Sequence, residues 1–294
     1  MSRPAEGEPR ACETRQCTFG KTVFGVGSSR DGVEGPQASI ARTSAVTILL
    51  TSRLRGTRGV ESSVPENESV LSADAPTPPA VFARVETIGF SVLGRPIRAL
   101  ERGQTGAPRT ILVVGCIHGD ECAGTAITQR LARATVPEGS EIWIVHVLNP
   151  DGRAARTRQN ARGVDLNRNF RSGWRAVGQA WDPQYPGPAP FSEPESRAAR
   201  ALVRRIRPDV TIWYHQPQAT VRAWGGSIAA GRRYARLAGV RFRAIRWPPG
   251  SAPNWQNHQF PGSASYVVEL ASGSLTAHQA SRHTRAVLTI ARSR

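Results

Sequence analysis

Lysine is almost absent from this chain: Lys21 is the single one among 294 residues, so arginine supplies nearly all of the 39 basic groups. Such a skew follows from coding bias and by itself selects no guanidinium chemistry. Long apolar runs are missing too. The run from Ala45 to Leu50 has six residues, where a membrane-spanning helix needs about 20. It lies far from the N-terminus and lacks a convincing cleavage site, so it is not read as a secretory signal. The cytoplasm is therefore the expected compartment, with export to the cell wall or extracellular space as the alternative. Four cysteines, in the pairs Cys12/Cys17 and Cys116/Cys122, are too few to staple a chain of this length. Cys116 and Cys122 read as small buried side chains. There is no internal repeat, no nucleic-acid-binding motif and no basic-aromatic alternation.

The net charge is +17, unevenly spread. Residues 1–80 carry nine basic and nine acidic groups, whereas residues 81–294 carry thirty arginines against thirteen acids. An anionic partner would be drawn by that field. A solvated basic surface accounts for it equally well, and no nucleic-acid partner is expected.

Residues 1–80 are rich in Ser, Gly, Thr, Pro and charge without periodicity, and read as a poorly ordered N-terminal extension. It ends in the linker Ala75-Pro76-Thr77-Pro78-Pro79. Residues 81–294 form the folded domain. Residues 85–90 and 96–100 predict an antiparallel strand pair, and 111–114 and 141–147 two further strands around a helix over 124–134. Asn149-Pro150-Asp151-Gly152 reads as a turn. Ser192-Glu193-Pro194-Glu195 reads as a capping box opening a helix to about Arg207. Residues 209–214 and 265–270 predict strands, and 275–290 a closing helix capped by Ser274. Strands alternating with helices predict an α/β fold: a mixed, largely parallel twisted sheet flanked by helices.

Three predicted strands end in reactive side chains. The first delivers His118 and Glu121, the next His215, and the last carries Glu269. In a parallel sheet such ends lie on one edge, where ligands bind. Two histidines and a glutamate form a ligand set of catalytic zinc that leaves a fourth position for water. One zinc ion held by His118, Glu121 and His215 would polarise a carbonyl. Glu269 is then the candidate general base and acid. Beside that set, zinc ligation by Cys116 and Cys122 is the weaker alternative. His146, His258, His278 and His283 read as structural or exposed, and Asp151 as serving its turn.

Several motifs occur together in order: His118-Gly119-Asp120-Glu121, Asn149-Pro150-Asp151-Gly152, Thr157-Arg158, Asp165-Leu166-Asn167-Arg168-Asn169-Phe170, His215 and Val268-Glu269-Leu270. In these the chain resembles the zinc carboxypeptidases over roughly residues 84–294. Within them it is most similar to the bacterial murein peptide amidase A branch, through residues 158–170, Tyr214-His215-Gln216-Pro217 and Asn254-Trp255-Gln256-Asn257-His258. The resemblance implies that Asn167 and Arg168 hold the substrate's terminal carboxylate and that Arg158 stabilises the oxyanion. It further implies that Asp165 orients His118 through the other ring nitrogen. Arg153, Arg156 and Arg162 compete for the place of Arg158. The lid tyrosine of the digestive enzymes has no counterpart at the expected distance before Glu269, where Tyr266 is too close and Trp247 and Trp255 lack a phenol.

The implied activity is zinc-dependent hydrolysis of a short murein peptide at the γ-D-glutamyl–meso-diaminopimelate amide. The alternatives are a metallocarboxypeptidase on ordinary peptides, an aspartoacylase-like zinc deacylase, and a non-catalytic module that binds anionic polymers. The expected partner is a small peptide, the murein tripeptide.

Overall fold

The computed structural model describes residues 82–292. The expected N-terminal extension, with Cys12, Cys17 and the apolar run from Ala45, lies outside the described residues.

The chain opens with a hairpin of β1 (Phe82–Phe90) and β2 (Pro96–Gly103). It continues through β3 (Arg109–Val114), α1 (Gly124–Leu131), β4 (Ser140–Val145) and α2 (Pro150–Ala155). A 3-10 turn at Leu166–Arg168 precedes α3 (Pro194–Ile206), β5 (Val210–His215), β6 (Gln218–Ala223) and α4 (Ile228–Ala238). The short β7 (Arg241–Ala244), α5 (Ala252–Gln259), β8 (Ala264–Ala271) and α6 (Ala277–Ala291) complete it. Eight strands form one mixed sheet in the order β1-β2-β4-β3-β5-β8-β6-β7. Its centre, β4-β3-β5-β8, is parallel. Among the described residues no helix is long and apolar enough to cross a membrane.

Alternate residues of the central strands feed two cores. Ile111, Val113, Ile212, Tyr214 and Val268 pack with residues of α1, α4 and α6. Leu112, Val114, Trp213 and Val267 pack with residues of α3 and α5. Burial on both faces explains why these strands read as continuous apolar runs rather than alternating ones.

Local chemistry departs from expectation at three places. Asn149-Pro150-Asp151-Gly152 is the first turn of α2, not an isolated turn. Asn149 is its N-cap, accepting the Gly152 N–H at 2.9 Å, with proline at the first helical position. Pro194 likewise opens α3, which makes Glu193 the N-cap. The expected capping box at Ser192 is not formed: Ser192 bonds Asn169 and Glu193, and Glu195 accepts the Val92 N–H. The last helix is capped by Thr276 rather than Ser274, because Gln279 three residues on completes the reciprocal pair. β6, α4, β7 and α5 were not expected.

Asp151 ties the hairpin to α2. Its buried carboxylate accepts from Ser91 Oγ at 2.9 Å, from the Leu93 N–H at 3.0 Å and from the Arg95 guanidinium at 2.5 Å. Asp151→Ala should lower the unfolding free energy by about 1–3 kcal/mol, read as a reduced urea midpoint, because it removes the shared acceptor of three donors, of which Ser91 is buried.

Candidate active site

Adjacent parallel strands bring the reactive groups to one edge. β3, β5 and β8 are neighbours, and His215 at the end of β5 pairs in register with Glu269 of β8. Beyond β3 the backbone turns sharply to place His118 and Glu121 beside them. Gly119 lets this loop approach the backbone of α2 closely. A Cβ on it would strike the backbone of Gly152 and Arg153, while a Cβ on Gly152 would strike Asn149 and the Gln159 carbonyl. The loop and the first turn of α2 therefore meet glycine to glycine. Cys116 and Cys122 are joined by a disulfide that brackets this loop, with Cα atoms 4.7 Å apart. This corrects the reading of two separate packing side chains: a spacing of six residues becomes a pair only through the fold of the loop.

The donor atoms of His118, Glu121 and His215 converge. His118 Nδ1 lies 2.9 Å from Glu121 Oε2 and 3.1 Å from His215 Nδ1, and His215 Nδ1 lies 3.0 Å from Glu121 Oε2. His118 turns Nε2 to Asp165 Oδ1 at 2.9 Å. Burial would lower His118, but the charge of Asp165 and the hydrogen bonds to Asp165 and Glu121 outweigh it and raise its pKa. With the Nε2 N–H kept on Asp165, loss of the Nδ1 proton frees a lone pair that points at the gap. Burial lowers His215 to about 4 and so holds it in the neutral form that ligates metals. Burial would raise Glu121, but hydrogen bonds from both imidazoles outweigh it and keep the carboxylate ionised. Two ring nitrogens and one anionic oxygen around a single gap fit a zinc ion, and these three residues could hold it.

Asp165 organises the rest. It caps the 3-10 turn by accepting the Asn167 N–H at 2.9 Å, and its other oxygen takes the Arg158 guanidinium at 3.0 and 3.1 Å. Arg158 also reaches Glu121 Oε1 at 2.5 Å. Arg153 and Arg156 are exposed and Arg162 faces Glu193 at 3.7 Å, so of these four arginines Arg158 alone enters the cleft. The Asn167 side chain is fixed by the Ala252 N–H at 3.0 Å and lies 3.3 Å from His215 Nε2. Arg168 is braced by the Asn167 carbonyl at 2.7 Å.

Glu269 is buried, and its Oε2 has no hydrogen-bond partner among the described residues. Burial first, then the charge of Glu121, raises its carboxyl above the usual range, while Arg222 opposes. His118, Glu121, His215, Glu269, Arg158, Asn167 and Arg168 all line one cleft of about 500 Å³. No tyrosine lines it. Tyr266 is buried in the core, Trp255 packs on Phe170 and Phe191, and Trp247 stands against Trp224. His283 bonds the Tyr234 hydroxyl and His146 bonds Thr128, both away from the cleft, and His258 and His278 do not line it either. Sequence reasoning missed Arg222, Gln184 and Gln216. The alternation in Thr220-Val221-Arg222-Ala223 was the available signal for the first of these.

A family model described as zinc carboxypeptidase matches residues 79–286. Murein peptide amidase A of Escherichia coli strain K12 is 31% identical over 147 residues, covering 46% of this chain and 60% of the relative. Carboxypeptidase B of Astacus astacus is 27% identical over 175 residues, covering 49% and 58%. The chain thus spans about 60% of the length of these curated relatives. Among solved structures, the murein-tripeptide amidase of Escherichia coli O157 is 26% identical with a TM-score of 0.57, covering 75% of this chain and 94% of that one. Carboxypeptidase A of Helicoverpa armigera, 20% identical with a TM-score of 0.61 over 73% of this chain and 70% of that one, shares the fold.

The glycine contact can be tested directly. Gly119→Ala should cost about 1–3 kcal/mol of stability by overpacking, seen as a lower thermal midpoint, since the methyl group meets backbone that cannot swing aside.

Proposed function

Because the chain belongs to the zinc carboxypeptidase family, we propose that it is a metallopeptidase hydrolysing a short murein peptide at the γ-D-glutamyl–meso-diaminopimelate amide. The observation carrying this reading is the juxtaposition, in one cleft, of a three-residue zinc donor set, a buried carboxylate with one unpaired oxygen and two arginines with Asn167. The similarity to murein peptide amidase A supports the choice of amide.

In this reading His118, Glu121 and His215 hold the ion, which when bound polarises the scissile carbonyl and acidifies a water molecule. Arg168 and Asn167 bind the terminal carboxylate, the guanidinium as a planar fork. Arg158, fixed by Asp165 and Glu121, presents positive charge where the carbonyl oxygen gains negative charge. Glu269 takes the proton of the attacking water and returns it to the leaving amine. Its burial suits that task, because a carboxylate shifted upwards is a stronger base. Asp165 keeps the His118 ring in the orientation that presents Nδ1.

Incubation with L-Ala-γ-D-Glu-meso-diaminopimelate and zinc should release diaminopimelate. Release of ordinary C-terminal residues without any diaminopimelate would instead assign the chain to carboxypeptidase action on common peptides.

Two variants separate metal binding from proton transfer. Glu269→Gln should keep its zinc by elemental analysis yet lose about 10²–10⁴-fold in turnover. His215→Ala should lose the zinc itself.

A further inference from the structure

Three guanidinium groups enter the cleft, and the proposed reaction occupies two. Arg158 is held by Asp165 and Glu121, and Arg168 by the Asn167 carbonyl and Gln184. Arg222 is different. Among the described residues its one polar partner is Glu269 Oε1 at 3.3 Å, long for a charge-assisted bond, and its side chain is 33% exposed. A guanidinium offers five N–H donors, so most of its capacity faces the cleft unspent.

The sheet register fixes where that capacity lies. β6 runs antiparallel to β8, with Thr220 opposite Glu269 and Arg222 opposite Val267. Arg222 therefore shares the face of Glu269 but sits two residues back from it along β8. There it is accompanied by Trp224, Ile245 and Val267, whose apolar surfaces also line the cleft. An apolar wall that carries a guanidinium with spare donors matches an aliphatic side chain that ends in a carboxylate.

We infer that Arg222 is a specificity-determining residue, whose guanidinium receives the side-chain carboxylate of the residue on the leaving side of the scissile amide. The inference rests on the proposed peptide hydrolysis and deepens it: diaminopimelate differs from lysine by that distal carboxylate. The alternative role for Arg222 is confined to Glu269, where its charge would merely tune the base. That role affects all substrates alike, whereas carboxylate recognition affects a ratio.

The test compares L-Ala-γ-D-Glu-meso-diaminopimelate with L-Ala-γ-D-Glu-L-Lys. The natural chain should favour the former by about 10- to 100-fold in kcat/KM, the size of one charge-assisted contact. Arg222→Gln should collapse the ratio to within about threefold, and Arg222→Lys should keep part of it. An equal fall on both substrates, with the ratio intact, would overturn the inference and leave Arg222 as a partner of Glu269 alone. Should neither murein peptide be cleaved while common peptides are, the same ratio is measured on peptides ending in Glu or Gln. A preference for Glu lost in Arg222→Gln upholds the role of Arg222 even though the murein reading has failed, and no preference refutes it. Calorimetric titration of the zinc-loaded protein with free meso-diaminopimelate and with lysine gives a readout independent of turnover. Tighter binding of diaminopimelate that disappears in Arg222→Gln supports the inference, and equal binding of the two by the natural chain counts against it.

Discussion

The buried carboxylate of Asp165 is the group on which the rest of the site depends. One oxygen orients His118 and caps the turn carrying Asn167 and Arg168; the other anchors Arg158. An isolated carboxylate at that depth would be costly. Here it has four donors, and the charges of His118, Arg158 and Arg168 outweigh the effect of burial to keep it ionised. A single anion thereby sets the relative positions of His118, Arg158 and the turn carrying Asn167 and Arg168. Removing it would disturb all three, so its loss would mimic several separate lesions.

The second constraint is backbone proximity. Gly119 and Gly152 belong to motifs more than thirty residues apart, yet each is small because the other's backbone lies against it or its own cap does. The turn of α2 that Gly152 occupies also leads into the segment bearing Arg158, with Asn149 holding the Gln159 carbonyl at 3.1 Å. The loop with His118 and Glu121, the opening of α2 and the arginine segment are thus one packed unit rather than three motifs. The disulfide between Cys116 and Cys122 closes the base of that unit.

Much of this was legible because strands buried on both faces announce themselves as apolar runs, and polar residues at their ends then stand out. His118, His215 and Glu269 were visible for that reason. What escaped had physical causes. Pro194 and Thr276 moved two helix starts from the nearest serine, since proline prefers the first helical position and a reciprocal cap outweighs a lone hydroxyl. The segment holding β6, α4 and β7 is rich in arginine and glycine, which blurs its periodicity. Arg222 stayed hidden because its neighbour across the sheet is known only from the register. The cysteine pairing is likewise a property of the loop's path, not of its spacing.

The sheet changes direction between β8 and β6. The strands that end at the cleft are tied to one another by parallel ladders, and a shift in any of them would displace the atoms that break bonds. β6 passes the same cleft in the opposite sense and offers only the flank of its pleat. A different side chain at one of its cleft-facing positions alters the shape and charge of that wall while the ladder hydrogen bonds, which are backbone alone, stay as they are. The molecule is in this sense built like a tool with a fixed blade and an adjustable fence.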